Sequence, residues 1–85
     1  MDVNVIQKIL ANVSDFDEVY VKSEGTHYDI IVVSDLFIDM GKVKQQQAVY
    51  APLMTYISRG DLHAVTIKTF TLQQWQREKV FHFPG

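Results

Sequence analysis

The chain contains no cysteine, and that absence narrows its chemistry first. No disulfide framework can staple the fold, and a metal would find no thiolate here. Such a chain suits a reducing compartment. It also lacks a strong charge of either sign. Eight Lys and Arg against ten Asp and Glu leave a net charge of −2, which argues against a general electrostatic hold on nucleic-acid phosphates. Long apolar runs are missing too. Ile30-Ile31-Val32-Val33 falls far short of the ~20 residues of a membrane helix. Met1-Asp2-Val3-Asn4 has no basic region, and Lys8 interrupts the apolar stretch that a signal peptide needs. The expectation is a cytoplasmic protein with no membrane segment. No GxSxG, HExxH, Walker loop or dinucleotide fingerprint occurs. The carboxylates are scattered, with no pair spaced along one element for acid–base work, so an enzyme is not expected.

What is present fits one small globular domain over residues 1–85. The chain is 47% hydrophobic and 21% charged, enough for a single core. Ile6, Ile9, Leu10 and Val13 recur at helical spacing, predicting a first helix over Val5 to Val13, with Asn4 as its cap and Gln7 completing a loose capping box. Glu18 to Lys22 alternates as a strand, Ser23 to Thr26 turns, and His27 to Ser34 forms a second strand. Gly25 supplies the positive φ of that turn. The second strand is apolar on both sides over its later half, which places it centrally.

Asp35 to Gly41 reads as a connection that folds back onto the core. A second helix is expected from Lys42 to just before Gly60, its C-cap, with a kink or break at Pro52. Val43, Tyr50, Leu53, Met54 and Ile57 would form its buried stripe, leaving Lys44, Gln45 and Gln47 outside. His63 to Phe70 makes the third strand, returning parallel to the second by a crossover. Thr71-Leu72-Gln73-Gln74 is a capping box that opens a last helix running to about Lys79, with Leu72 and Trp75 gripping the sheet. The tail, residues 80–85, is expected to pack loosely or not at all. The order is αββαβα: an α+β fold with a three-stranded mixed sheet and helices on one face.

Three histidines remain as candidate chemistry: His27 and His63 at strand starts, and His82 in the tail. A lone histidine is most often structural. One imidazole cannot hold a metal tightly, because structural sites take about four ligands and iron–sulfur clusters mostly thiolates. A cysteine-free chain would therefore have to share any such site with another molecule. Nucleic-acid binding is the competing reading. The element order resembles a KH domain of the second class, whose GXXG loop clamps the nucleic-acid backbone. Gly41-Lys42-Val43-Lys44 lacks the second glycine, leaving Lys42 and Lys44 as possible phosphate contacts.

The run Leu62-His63-Ala64-Val65-Thr66-Ile67-Lys68-Thr69-Phe70-Thr71-Leu72-Gln73-Gln74-Trp75 resembles the C-terminal signature of BolA-like proteins. In that signature His-Ala opens a strand and Thr-x-x-x-Trp starts the last helix. Gly25 to Ile30, Val33 to Phe37 and Val43 to Met54 also match, the last most closely a bacterial branch of the family. The likeness covers nearly the whole chain. It implies a BolA-like, class II KH-like fold and a non-enzymatic role in iron–sulfur trafficking or regulation. The implied partner is a monothiol glutaredoxin, in a heterodimer that shares a two-iron, two-sulfur (2Fe-2S) cluster. The glutaredoxin and its glutathione would supply thiolates, and His63 would be this chain's ligand.

A second ligand, expected in the loop between the first two strands, falls near Glu24, with His27 just beyond it as the substitute. The last helix and its apolar tail would form part of the docking surface. Where relatives outside this branch carry Arg-His-Arg on the second helix, this chain has Gln45-Gln46-Gln47. That loss weakens the alternative reading, a DNA-binding transcriptional regulator. A metal-free protein–protein adaptor is a third reading.

Overall fold

The computed structural model describes residues 1–83. In chain order it contains α1 (Val3–Ala11), β1 (Glu18–Glu24), β2 (His27–Val33), α2 (Lys42–Tyr50), α3 (Met54–Ser58), β3 (Ala64–Phe70) and α4 (Leu72–His82). The three strands form one mixed sheet in the order β1-β2-β3. β2 is central, antiparallel to β1 and parallel to β3, as its two-sided apolarity predicted. The register pairs Glu24 with His27 and Glu18 with Val33 on one side, and His27 with Ala64 and Val33 with Phe70 on the other.

The hairpin is tighter than expected. β1 continues to Glu24, so the turn shrinks to Gly25 and Thr26, with Gly25 at φ 61° in the first of the two loop positions. α1 also begins earlier than predicted. The Asp2 carboxylate accepts the Asn4 amide at 2.7 Å and caps the helix in Asn4's place. A charged acceptor at a helix N-terminus also complements the dipole, which makes Asp2 the better cap.

Pro52 breaks the second helical region as predicted. α2 stops at Tyr50, a 3₁₀ turn spans Ala51–Leu53, and α3 restarts at Met54. The predicted stripe assumed one continuous helix and survives in part: Leu53 is buried, and Tyr50 and Ile57 pack against the core. A 3₁₀ turn has about three residues per turn instead of about 3.6, so the helical phase is reset. Val43 is 70% exposed and Met54 51%, while Gln45, Val49 and Leu53 are buried. Gln45, expected outside, is drawn in by its hydrogen bonds. Its Nε2 donates to the Phe37 and Met40 carbonyls at 3.2 and 2.8 Å, and its Oε1 accepts from the Thr69 hydroxyl at 2.6 Å.

The sheet has two unequal faces. Val19, Tyr28, Ile30, Val32 and Ile67 point one way and join Ile6, Leu10, Val49, Leu53 and Leu62 in the main buried cluster. α1 and α2 cover this face. Tyr20, Ile31, Val33, Lys68 and Phe70 alternate onto the other face by register. There Trp75 of α4 stacks on Tyr20 at 5.4 Å and meets Phe70 at 5.5 Å. The α+β architecture and element order stand as predicted, but the helices do not all share one face. Tyr20 and Phe70 attract the largest apolar side chain to the second face.

The predicted capping box is present. Thr71 Oγ1 accepts the Gln74 amide at 3.2 Å, and Gln74 Oε1 accepts the Thr71 amide at 2.9 Å. α4 runs three residues past the expected Lys79, to His82. Within the tail His82 and Phe83 find partners, His82 stacked on Trp75 at 5.7 Å and Phe83 against Tyr20 at 5.0 Å, while Val80 and Phe81 stay exposed as expected of a loose tail. Pro84 and Gly85, the rest of the predicted loose tail, lie outside the described residues. No helix of the described residues is long and apolar enough to cross a membrane.

Candidate functional site

His63 is built by the turn that closes α3. The Gly60 amide donates to the Ile57 carbonyl at 3.1 Å, and the Asp61 and Leu62 amides both donate to the Tyr56 carbonyl, at 2.9 and 3.3 Å. Gly60 has φ 77°, the left-handed conformation that ends a helix and that glycine adopts at least cost. Arg59 bridges Asp61 at 2.9 Å and lies 5.7 Å over the Tyr56 ring. Leu62 is 1% exposed and anchors the chain in the core, and Ala64 enters the ladder opposite His27. His63 is thus fixed on both sides while its own side chain is exposed. Its ring lies beside the turn, with Cε1 3.8 Å from where a Cβ on Gly60 would stand.

The other strand-start histidine is committed. His27 Nε2 lies 2.9 Å from Thr66 Oγ1 and 3.3 Å from Asp29 Oδ1. Both contacts converge on one nitrogen, leaving Nδ1 free of them. Among the described residues His27 is the one imidazole with polar side-chain partners. Register places His27 on the sheet face it shares with Asp29 and Thr66. His63 precedes Ala64 by one residue and leans toward the α3 turn on the helix-covered side. The structure places His63 one residue before Ala64, the residue that pairs with His27 across the β2–β3 ladder. His82, stacked on Trp75, belongs to neither.

The remaining candidates are separate from His63. Lys42 and Lys44 are exposed in the first turn of α2, and Gln45 beside them bonds Thr69, six residues along β3 from His63, or about 20 Å of strand. The aromatic group of Tyr20, Phe70, Trp75 and Phe83 gathers near that same far end. Val80, Phe81 and Phe83 remain largely exposed there. A groove of about 220 Å³ beside Phe83, bordered by Tyr20, Ile31 and Lys68, also opens on the face away from His63. The same groove reaches Asp29 and Thr66, the two partners of His27.

The titration of Tyr20 is displaced. Its hydroxyl donates to the Glu18 carboxylate, and that bond, followed by burial and by the Glu18 charge, raises its pKa above the ordinary 10.0. It lies in the aromatic group, not beside His63.

The donor set decides what His63 can do. Among the described residues no three His, Cys, Asp or Glu side chains cluster as a metal site. An exposed imidazole without competing side-chain bonds can contribute one ligand to a group held mainly by another molecule. The importance of Arg59, Gly60 and Asp61 to this placement was missed by the sequence reading, which treated Gly60 only as a helix stop. A glycine three residues before a strand-start histidine was the available signal.

Comparison with known proteins bears on the family and the fold. The sequence profile of the family described as BolA-like protein matches residues 4–74. The acid stress protein IbaG of Escherichia coli is 44% identical over 79 residues, covering 93% of this chain and 94% of that protein. An uncharacterized protein of Haemophilus influenzae is 44% identical over 82 residues, 96% of each chain. Among solved structures, a bolA protein homologue from Coxiella burnetii superposes with a TM-score of 0.76 at 22% identity, covering 91% of this chain and 99% of that one.

Proposed function

The chain belongs to the BolA-like protein family, and on that premise we propose that it is a non-enzymatic partner of a monothiol glutaredoxin, sharing or passing on a 2Fe-2S cluster. The observation that carries this reading is the His63 imidazole, exposed and unengaged on a braced turn in a chain without cysteine. His63 would supply one ligand, and the glutaredoxin with its glutathione the thiolates. An imidazole in place of a thiolate removes negative charge from a cluster and raises its potential, as in Rieske centres.

His27 is the second candidate ligand. To serve, it would use Nδ1 or release Thr66 and Asp29. The docking surface in this reading centres on the turn from Arg59 to His63. A cytoplasmic setting in iron–sulfur trafficking or regulation completes the proposal. The Escherichia coli relative is known as an acid stress protein, and we extend that condition to this chain. DNA binding through Lys42 and Lys44 is disfavoured. Their neighbours Gln45 and Gln46 are committed to internal bonds, Gln46 Nε2 donating to the Ile67 carbonyl at 2.9 Å.

Mixing the protein with cluster-loaded monothiol glutaredoxin tests the reading by visible absorption and circular dichroism. The expected result is a new mixed-ligand spectrum that His63→Ala largely abolishes. An unchanged spectrum, or a His63→Ala variant that shifts it as fully as the unmodified chain, would overturn the proposal. Gel shifts at physiological salt check the alternative: binding that weakens when Lys42 and Lys44 are neutralised would favour DNA.

A further inference from the structure

We propose that Gly60 is a positioning residue for His63, and that its left-handed backbone sets the direction in which the imidazole is presented. The inference rests on the ligand reading of His63 and deepens it. Three observations support it. Gly60 sits at φ 77°, a conformation that costs an L side chain heavily unless it is Asn or Asp. The two amides after it, of Asp61 and Leu62, share the single Tyr56 carbonyl, so a change at Gly60 is transmitted directly to the residue before His63. Leu62 is then pinned in the core and Ala64 in the ladder. Backbone rotation within this short span has few places to be absorbed except at His63 itself.

Space is not the constraint. A Cβ on Gly60 would stand 3.8 Å from His63 Cε1, an ordinary contact with nothing nearer. The glycine is required for its φ, not for the absence of its side chain. That separates two otherwise similar substitutions. Gly60→Ala and Gly60→Asn both place a Cβ beside the imidazole, but Asn tolerates the left-handed region and Ala does not. An effect of contact would appear in both. An effect of backbone direction appears in Ala and is rescued by Asn.

Two readouts on the full chain keep this inference distinct from the ligand assignment. The first is the nuclear magnetic resonance signature of the His63 ring in the isolated protein, with Trp75 and Val32 resonances reporting the fold. The second is the circular dichroism of the mixture with cluster-loaded monothiol glutaredoxin. Gly60→Ala is expected to displace the His63 ring resonances and raise the half-saturation of the mixed spectrum roughly tenfold, while Gly60→Asn stays close to the unmodified chain in both.

A Gly60→Ala variant indistinguishable from the unmodified chain overturns the proposal, as does a Gly60→Asn variant as impaired as Ala. Should Gly60→Ala lose the fold resonances, Gly60→Asn carries the decision alone, because it must leave His63 undisturbed. If the unmodified chain forms no mixed spectrum, the ligand reading fails, and the isolated-protein resonances still decide the role of Gly60.

Discussion

The Gln45 amide oxygen accepts the Thr69 hydroxyl at 2.6 Å in the interior, tying α2 to β3. The same side chain donates to the Phe37 and Met40 carbonyls, so it also closes the connection that leads into α2. Three chain segments converge on one polar group.

Gln45→Leu keeps the volume and removes every one of these bonds. Two backbone carbonyls and a hydroxyl lose their partner in or beside the core, at a cost of about 2–3 kcal/mol. Urea denaturation is expected to show a lower midpoint with an unchanged slope. A loss below about 0.5 kcal/mol, the scale of ordinary surface substitutions, would mean that the segments repack without Gln45.

Gln45 also marks where the sequence stops being readable. Local chemistry was legible: Gly25 in the hairpin, Thr71 and Gln74 at the start of α4, and the break at Pro52 are each decided by a few neighbouring residues. The burial of Gln45 is decided by Phe37, Met40 and Thr69, which are remote in sequence or lie on other elements, so helical periodicity assigned it to solvent. The exposure of Met54 follows from a phase shift at the proline that no single helical wheel represents, and that of Val43 from α2 turning Gln45 and Val49 inward. His63 was legible as a candidate because it is a histidine at a strand start in a family signature. The turn that braces it depends on tertiary hydrogen bonds to Tyr56. That α4 takes the second face of the sheet was equally hidden, since alternation alone left Tyr20 and Phe70 without a known partner.

The capping box of α4 makes a smaller and more local prediction. Thr71→Ala removes the acceptor of the Gln74 amide and leaves one more orphan donor at the helix start. The expected loss is about 1 kcal/mol. Its consequence is concentrated in α4, which packs mainly through Trp75. Hydrogen exchange is the suitable measurement: faster exchange should appear in α4 and leave the β2 amides nearly unchanged. Uniform acceleration through β2 would show that α4 and the sheet open as one unit.

Tyr20 predicts a pH dependence with a definite sign. Hydrogen bonding to Glu18, then burial and the Glu18 charge, hold the phenol in its neutral form and raise its pKa above the ordinary 10.0. Between that ordinary value and the raised one, the native protein keeps a proton that the unfolded chain has released. The associated stability is complete below the ordinary value and is lost as pH rises through the native one. Glu18→Gln removes the charge and should bring tyrosinate formation to lower pH, flattening the alkaline loss of stability. The ultraviolet tyrosinate band of single Tyr→Phe variants assigns the transition. A Tyr20 that titrates in Glu18→Gln as it does in the unmodified chain would contradict the Glu18 origin.

His27 and His63 are expected to separate under substitution. His27 Nε2 is held by Thr66 across the β2–β3 ladder and by Asp29 two residues along β2, a partly exposed arrangement whose loss costs about 0.5–1 kcal/mol. His27→Ala should therefore lower thermal stability slightly and leave most of the mixed spectrum with cluster-loaded glutaredoxin intact. His63→Ala should do the reverse, sparing stability because its ring is exposed and removing the spectrum because its ring is the free donor. Thermal unfolding and visible circular dichroism on the same two variants measure both arms. If His27→Ala abolishes the spectrum as fully as His63→Ala while the fold persists, His27 is also a ligand. The Thr66 and Asp29 contacts then serve to orient it, leaving Nδ1 for the metal, as partners on the second ring nitrogen orient ligating histidines elsewhere.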